Sequence, residues 1–315
     1  MKALIIGAAG FVGGYLIEHL ADKCHWEVSA TKLPSEKIEQ ESCTVYDLDI
    51  LDESAITALL EKVKPDCIFH LAAQSSVAVS WKKPALTAQI NIVGAINLLE
   101  SAKGLDYKPR ILLIGSSEEY GINKEAGGQI SEETRENPQN VYAVTKLTQN
   151  MLGRVYSNAY NMDIISVRAF NHIGPRQLPQ FVVSDFCKQA AEIEKGLREP
   201  VMRVGNLSAK RDFTDVRDIV AAYEMLARKG KKGETYNVGS GKAIAVSDIL
   251  SLIVNKSSQK ISVEIDKGKY RPIDVPIIEA DVSKISRDTG WKPTIPLSET
   301  ITDVFTYWQN ALTQG

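Results

Sequence analysis

Short apolar runs alternate with stretches of helical periodicity through the first two-thirds of the chain. Residues 3–7, 27–31, 67–72, 111–116 and 163–168 read as strands, and residues 11–20, 52–63, 91–102 and 142–160 as helices. Strands that are apolar on both faces are covered on both faces. Their alternation with helices predicts βαβ units and an α/β fold built on a doubly wound parallel sheet. Beyond Gly174 the pattern loosens, and Pro175, Pro179, Pro200, Pro272, Pro276, Pro293 and Pro296 crowd the sequence. Helical stretches at 183–195, 216–228, 246–255 and 297–312 predict a smaller, mainly helical α/β part that covers the carboxyl edge of the sheet. Residues 235–238 read as a late strand that returns to it. The division drawn is 1–174 with 212–240 for the sheet domain, and 175–211 with 241–315 for the cover.

With 44% apolar and 24% charged residues, the chain has the composition of a globular protein. Its 37 basic and 39 acidic residues leave a net charge of -2, which gives no basic field for nucleic acid. Cys24, Cys43, Cys67 and Cys187 are scattered without paired spacing, so no metal site is expected and a reducing, cytoplasmic setting is. The stretch ALIIGAAGFVGG after Lys2 imitates a signal-peptide core, yet it is shorter than the ~20 residues a membrane span needs.

The glycines in that stretch point elsewhere. Gly7, Gly10 and Gly13 follow the first strand and open the first helix. Such a turn lets backbone N–H groups reach a pyrophosphate at the positive end of a helix dipole, as in Rossmann-like dinucleotide sites. Phe11 and Val12 belong to the same loop. The second strand ends Ala30-Thr31-Lys32 instead of in the acid that holds the adenosine ribose of NAD. A hydroxyl and a cation suit a 2′-phosphate, so NADP(H) is the expected cofactor, with NAD(H) the alternative; Lys32 could equally be a solvated loop residue. Asp49-Ile50 is placed to meet the adenine, although Asp49 also suits the lead into a helix.

Tyr142 and Lys146 stand at i and i+4, on one face of a helix. An ammonium there would depress the phenol from its usual value of about 10 and suit it to proton transfer at a carbonyl or alcohol. Ser116 and Glu118 lie two apart at the end of an apolar strand, and extended geometry would point both to one side at the sheet's carboxyl edge. Ser116 could bond the reacting oxygen, and Glu118 could orient a sugar or move a proton at a neighbouring carbon. Polar residues capping a turn would read the same way.

GAAGFVG, HLAA at 70–73, GSSEEYG at 115–121, YAVTK at 142–146, RAFNHIGPR at 168–176 and GWKP at 290–293 together resemble the extended short-chain dehydrogenase/reductases that act on nucleotide sugars. The likeness spans nearly the whole chain. NHIGPRQ, GNLSAKRDFTDVRD at 205–218 and RPIDVP at 271–276 resemble the GDP-mannose branch in particular.

That branch holds dehydratases and 4-keto-sugar reductases. Phe11-Val12, SSEEYG and the absence of a paired-arginine segment before Phe181-Val182 make this chain more similar to the reductases. The resemblance implies NADPH-dependent reduction of GDP-4-keto-6-deoxy-D-mannose to GDP-D-rhamnose. Glu118 keeps the GDP-mannose 4,6-dehydratase alternative open; another nucleotide-sugar epimerase or dehydratase is a weaker third reading, and a non-catalytic NADP-binding sensor is the non-enzyme alternative.

The resemblance further implies that Ser116, Tyr142 and Lys146, with Glu118, carry the chemistry. Leu71, Ala72, Ala73, Phe170, His172 and Ile173 would meet the cofactor. Ser76, Ser117, Glu118, Asn171, Phe181, Val182, Asn206, Arg211, Arg271 and Asp274 would meet a GDP-sugar. Trp81 lies near the substrate mouth, as a contact or as packing. A homodimer formed through the helices at 91–102 and 142–160 is implied as well, with no nucleic-acid or membrane partner.

Overall fold

The structure, a computed structural model, describes residues 1–122, 128–270 and 275–313. Strand β1 (Lys2–Ile6) feeds helix α1 (Phe11–Glu18), which widens into a π-helical turn at His19–Lys23. Then come β2 (Glu27–Lys32), β3 (Thr44–Asp47), α2 (Glu53–Val63), β4 (Cys67–His70), α3 (Val77–Lys82) and α4 (Pro84–Ala88). A second π-helical turn (Gln89–Val93) leads into α5 (Gly94–Lys103), followed by β5 (Arg110–Ile114), α6 (Val141–Tyr160) and β6 (Ile164–Ala169). The second half runs β7 (Asn171–Ile173), α7 (Val182–Glu194), β8 (Val201–Val204), β9 (Lys210–Asp215), α8 (Val216–Lys229) and β10 (Thr235–Val238). It closes with β11 (Ala243–Ala245), α9 (Val246–Val254), β12 (Ser262–Ile265), β13 (Ile277–Ile278), α10 (Ser283–Thr289) and α11 (Leu297–Ala311).

Seven strands form one parallel sheet in the order β3-β2-β1-β4-β5-β6-β10. The α/β reading holds, and residues 235–238 do return to the main sheet. Alternation along β1 separates two cores. Ala3 and Ile5 face one side with Leu16 and Ile17 of α1, Leu20 of the π-helical turn after it, and Ile219 and Leu226 of α8, whereas Leu4 and Ile6 face the other with Leu60 of α2 and Leu98 and Leu99 of α5. The strand order reverses at β1 and β4, which opens a crevice beyond their carboxyl ends.

A separate core joins Phe186 of α7, Ile249 of α9 and Phe305 of α11 above that edge. Small sheets tie it down: β9 pairs with β11, β13 and β7, and β12 pairs with β8. These strands are two to six residues long, too short for period-2 alternation to mark them in the sequence. Ile285 and Trp291 fall in the stretch assigned to the cover, yet they pack in the core beneath the main sheet. Among the described residues, no helix is long and apolar enough to cross a membrane.

Candidate active site

The glycine loop is fixed by close backbone approach. Gly7 has φ 82°, and a Cβ there would lie 2.5 Å from Ala72 Cα. At Gly13 a Cβ would lie 2.1 Å from the Ala8 carbonyl oxygen. Only glycine fits either position. Helix α1 opens at Gly10 with no side-chain cap, so its first N–H groups are open toward a ligand. Gly7, Gly10, Phe11, Val12 and Gly13 line one end of a cavity of about 1510 Å³. A glycine cradle and an uncapped helix terminus are what a dinucleotide pyrophosphate requires, so the residues present fit such a cofactor.

At the adenosine end the structure reassigns Thr31. Its buried hydroxyl accepts the Gly7 N–H at 3.1 Å, while Ala8 N donates to the Thr31 carbonyl at 2.8 Å. Thr31 therefore anchors the loop while it lines the cavity. Lys32 does line the cavity, and its ammonium pairs with Asp47 Oδ1 at 2.5 Å. Asp49 and Ile50 line the same end, with Asp49 Oδ1 accepting the Leu51 N–H at 2.9 Å. Leu71, Ala72 and Ala73, just past β4, continue the wall.

The catalytic candidates converge at the carboxyl end of β5. Strand β5 stops at Ile114, and the chain turns into a 3-10 turn over Ser117–Glu119 that Ser116 caps. The extended geometry read from sequence is thus replaced by a turn; Ser116 and Glu118 both line the cavity, but Ser117 is buried away from it. Glu118 N donates to Ser116 Oγ at 3.2 Å, and Asn140, the N-cap of α6, donates to Glu118 Oε2 at 3.0 Å. Tyr142 and Lys146 project from α6 into the same cavity.

Their electrostatics differ from the sequence expectation. Burial pushes the Tyr142 phenol up, a hydrogen bond with Ser116 opposes this, and the Glu118 and Glu119 charges add to the rise. Lys146 donates to the Ile114 carbonyl at 2.7 Å and to Gln149 Oε1 at 3.2 Å. Burial lowers Lys146 to about 8, partly offset by the Glu119 carboxylate. The i, i+4 spacing does bring both groups to the site, but desolvation outweighs the lysine's expected pull on the phenol. His70, buried on β4, is held neutral at about 3 by burial and by the Lys146 charge.

The far wall holds the remaining candidates. Phe170, Asn171, His172 and Ile173 run along β7 and the residue before it, and the His172 and Phe11 rings stack with centroids 6.1 Å apart. His172 Nδ1 lies 3.1 Å from the Phe170 carbonyl, and burial lowers the imidazole's pKa. Phe181 and Val182 lead α7 into the cavity, opposite Ser76 and the half-exposed Trp81. Asn206 accepts the Ser208 N–H at 3.0 Å, and buried Arg211 donates to the Val275 carbonyl at 2.6 Å; both line the cavity. Arg271 and Asp274 lie outside the described residues.

Sequence reasoning passed over Tyr223, Arg176 and Lys269, which also line the cavity. Tyr223 sits on α8 with its hydroxyl buried and unpartnered, and in the sequence it is one apolar-stripe residue among many. Arg176 has φ 71° and pairs with Glu18 at 2.8 Å, which straps the segment before α7 to α1. Elsewhere, His19, Cys24 and Glu224 lie within 4.8 Å of one another, but Arg228 already engages the Glu224 carboxylate.

A glycine cradle that shares one cavity with Ser116, Tyr142 and Lys146 on a doubly wound fold fits an NAD(P)-dependent enzyme. The family model described as GDP-mannose 4,6 dehydratase matches residues 4–304. The chain belongs to this family of extended short-chain dehydrogenase/reductase enzymes, which modify nucleotide sugars. It is 29% identical over 309 residues to the GDP-6-deoxy-D-mannose reductase of Pseudomonas aeruginosa, covering 98% of this chain and 97% of that protein. It is 28% identical over 343 residues to the GDP-mannose 4,6-dehydratase of Yersinia enterocolitica, covering 95% of this chain and 91% of that one. Among solved structures, RMD from Pseudomonas aeruginosa complexed with NADPH superposes with a TM-score of 0.88 at 29% identity, over 99% of this chain and 100% of that one. The Thermus thermophilus UDP-glucose 4-epimerase complex with NAD gives 0.88 at 26% identity, again over 99% and 100%.

Proposed function

We propose that this protein uses NADPH to reduce the 4-keto group of GDP-4-keto-6-deoxy-D-mannose, yielding GDP-D-rhamnose. The observation that carries the reading is the convergence of Ser116, Tyr142 and Lys146 in one cavity that Asn171, Asn206 and Arg211 also line. NADPH, when bound, supplies the hydride that carbon 4 receives. Tyr142 gives its phenolic proton to the carbon 4 oxygen as that oxygen becomes an alcohol, and Ser116 donates a hydrogen bond to the same oxygen. Lys146 stabilises the phenolate left behind. Burial holds Tyr142 protonated, the form that reduction consumes, which supports this direction of the chemistry. Arg211 and, by sequence position, Arg271 suit the diphosphate, whose oxygens an arginine fork matches in pairs. Lys32 at the adenosine end supports NADPH over NADH.

In this reading the sheet domain (1–174 and 212–240) holds the cofactor and the remainder holds the sugar nucleotide. Exposed Val144, Met151 and Val155 on α6 support a homodimer, which light scattering would test. The dehydratase is the second reading, because Glu118 lines the cavity beside Ser116. Product analysis separates the two. Turnover of the keto sugar with NADPH consumption supports the reductase, whereas a keto product from GDP-mannose without added reductant supports the dehydratase.

A further inference from the structure

One acidic side chain binds the catalytic elements together, although it touches no part of the cavity. Glu119 is fully buried in the 3-10 turn after β5. Its Oε1 accepts the Ser116 N–H at 2.8 Å. Asn150, one helical turn past Lys146 on α6, donates to Oε1 and Oε2 at 2.8 Å each. Arg168 of β6 donates from Nε to Oε2 at 3.0 Å. Gly115 makes room for this: a Cβ there would lie 2.3 Å from Glu119 Oε1 and 2.5 Å from Asn150 Nδ2. The arginine is itself fully engaged, with Glu136 Oε1 at 2.5 Å and the Tyr120 hydroxyl at 2.9 Å.

Cohesion alone does not call for such an arrangement. A buried ion pair is about as stabilising as apolar side chains of the same volume, and often less so. What a carboxylate provides and an apolar side chain does not is directional bonding to three separate elements. The elements it joins are the Ser116 turn, the helix that carries Tyr142 and Lys146, and β6. Burial raises the Glu119 pKa, and the Arg168 charge, the Ser116 N–H and Asn150 oppose that rise.

We propose that Glu119 is a positioning residue of this site: it locks the Ser116 turn to β6 and to the helix that carries Tyr142 and Lys146. The inference rests on the catalytic reading of Ser116, Tyr142 and Lys146, but not on which sugar is reduced. The groups around Lys146 are the Ile114 carbonyl of β5, neutral His70 of β4, Tyr142 and Gln149 of its own helix, and Glu119 of the turn. Of these, Glu119 is the acid whose charge offsets part of the fall that burial imposes on Lys146.

The test compares Glu119→Gln with Glu136→Gln, which removes the other carboxylate on Arg168 and leaves the catalytic turn untouched. Three quantities are read: the NADPH dissociation constant, kcat on the keto sugar, and the titration midpoint of the Lys146 amine by ¹⁵N NMR in the ligand-free protein. For Glu119→Gln, kcat should fall ~10- to 100-fold, as expected for a slightly misplaced constellation, with NADPH affinity changed by no more than about threefold. The Lys146 midpoint should drop. Glu136→Gln should move neither kcat nor the midpoint. If Glu119→Gln does not fold, the double variant Glu119→Leu/Arg168→Met replaces the pair with apolar volume, and the same two changes are expected of it. A folded variant that keeps kcat within about twofold, or keeps the wild-type Lys146 midpoint, overturns the proposal. The midpoint needs no substrate, so failure of the reductase reading, seen as an inactive wild type, stays separate from failure of this one.

Discussion

The Lys146 ammonium donates to the Ile114 carbonyl oxygen at 2.7 Å, so the last residue of β5 fixes this cation in the cavity that Tyr142 also lines. With burial lowering Lys146 to about 8, its charge is lost as pH rises through that value. The rate constant kcat/KM, which reports the free enzyme, should fall as pH rises through about 8. The effect on stability has the opposite sign. An unfolded lysine titrates near 10.4, so between about 8 and that value the unfolded chain binds more protons than the folded one. This group's contribution to unfolding free energy therefore rises with pH across that window. A pH series of kcat/KM and of thermal melts checks both signs.

Tyr142→Phe removes the proton donor and keeps the ring in its buried slot. The expected loss in kcat is ~10²- to 10⁴-fold, the usual worth of a positioned general acid, with NADPH affinity little changed. Steady-state kinetics paired with a fluorescence titration of NADPH separates the two effects. Full activity would remove Tyr142 from its role.

Thr31→Val deletes the hydroxyl that accepts the Gly7 N–H at 3.1 Å and preserves the side-chain shape. Leaving one buried N–H unpaired costs ~1–3 kcal/mol, which corresponds to roughly a 5- to 150-fold shift if it appears in cofactor binding. NADPH and NADH should weaken together, because the loop and not the 2′-phosphate is affected. A loss confined to NADPH would instead place Thr31 at the phosphate.

Lys32 pairs with Asp47 at 2.5 Å, and the two substitutions should act in opposite directions. Lys32→Ala should weaken NADPH by roughly tenfold, about 1.4 kcal/mol, and leave NADH nearly unchanged. Asp47→Asn releases the ammonium and should tighten NADPH modestly, since a surface pair of this kind is worth about 0–1 kcal/mol. Parallel titrations of both cofactors read the discrimination directly.

The parallel sheet was legible because β1, β4, β5 and β6 are apolar on both faces and the helices between them keep their own period. Gly7 and Gly13 were legible for a geometric reason: each stands where a Cβ would strike backbone. The i, i+4 spacing of Tyr142 and Lys146 survived as shared access to one cavity. What escaped the sequence depends on contacts between distant segments. The Thr31 hydroxyl accepts the N–H of Gly7, twenty-four residues earlier, which no local pattern shows. Ser117, which the resemblance implied at the site, is instead buried in the 3-10 turn that follows the end of β5 at Ile114. Glu119 reads as one more acid in SSEEYG until Asn150 and Arg168 are brought to it from α6 and β6.

The most direct test of the central claim is transfer of deuterium from NADPH labelled at the nicotinamide carbon 4 to GDP-4-keto-6-deoxy-D-mannose, followed by NMR of the product. The account predicts one deuterium at sugar carbon 4 for each NADPH consumed, in a GDP-6-deoxyhexose. A keto sugar returned unlabelled, with GDP-mannose converted instead and no net NADPH consumed, would contradict it.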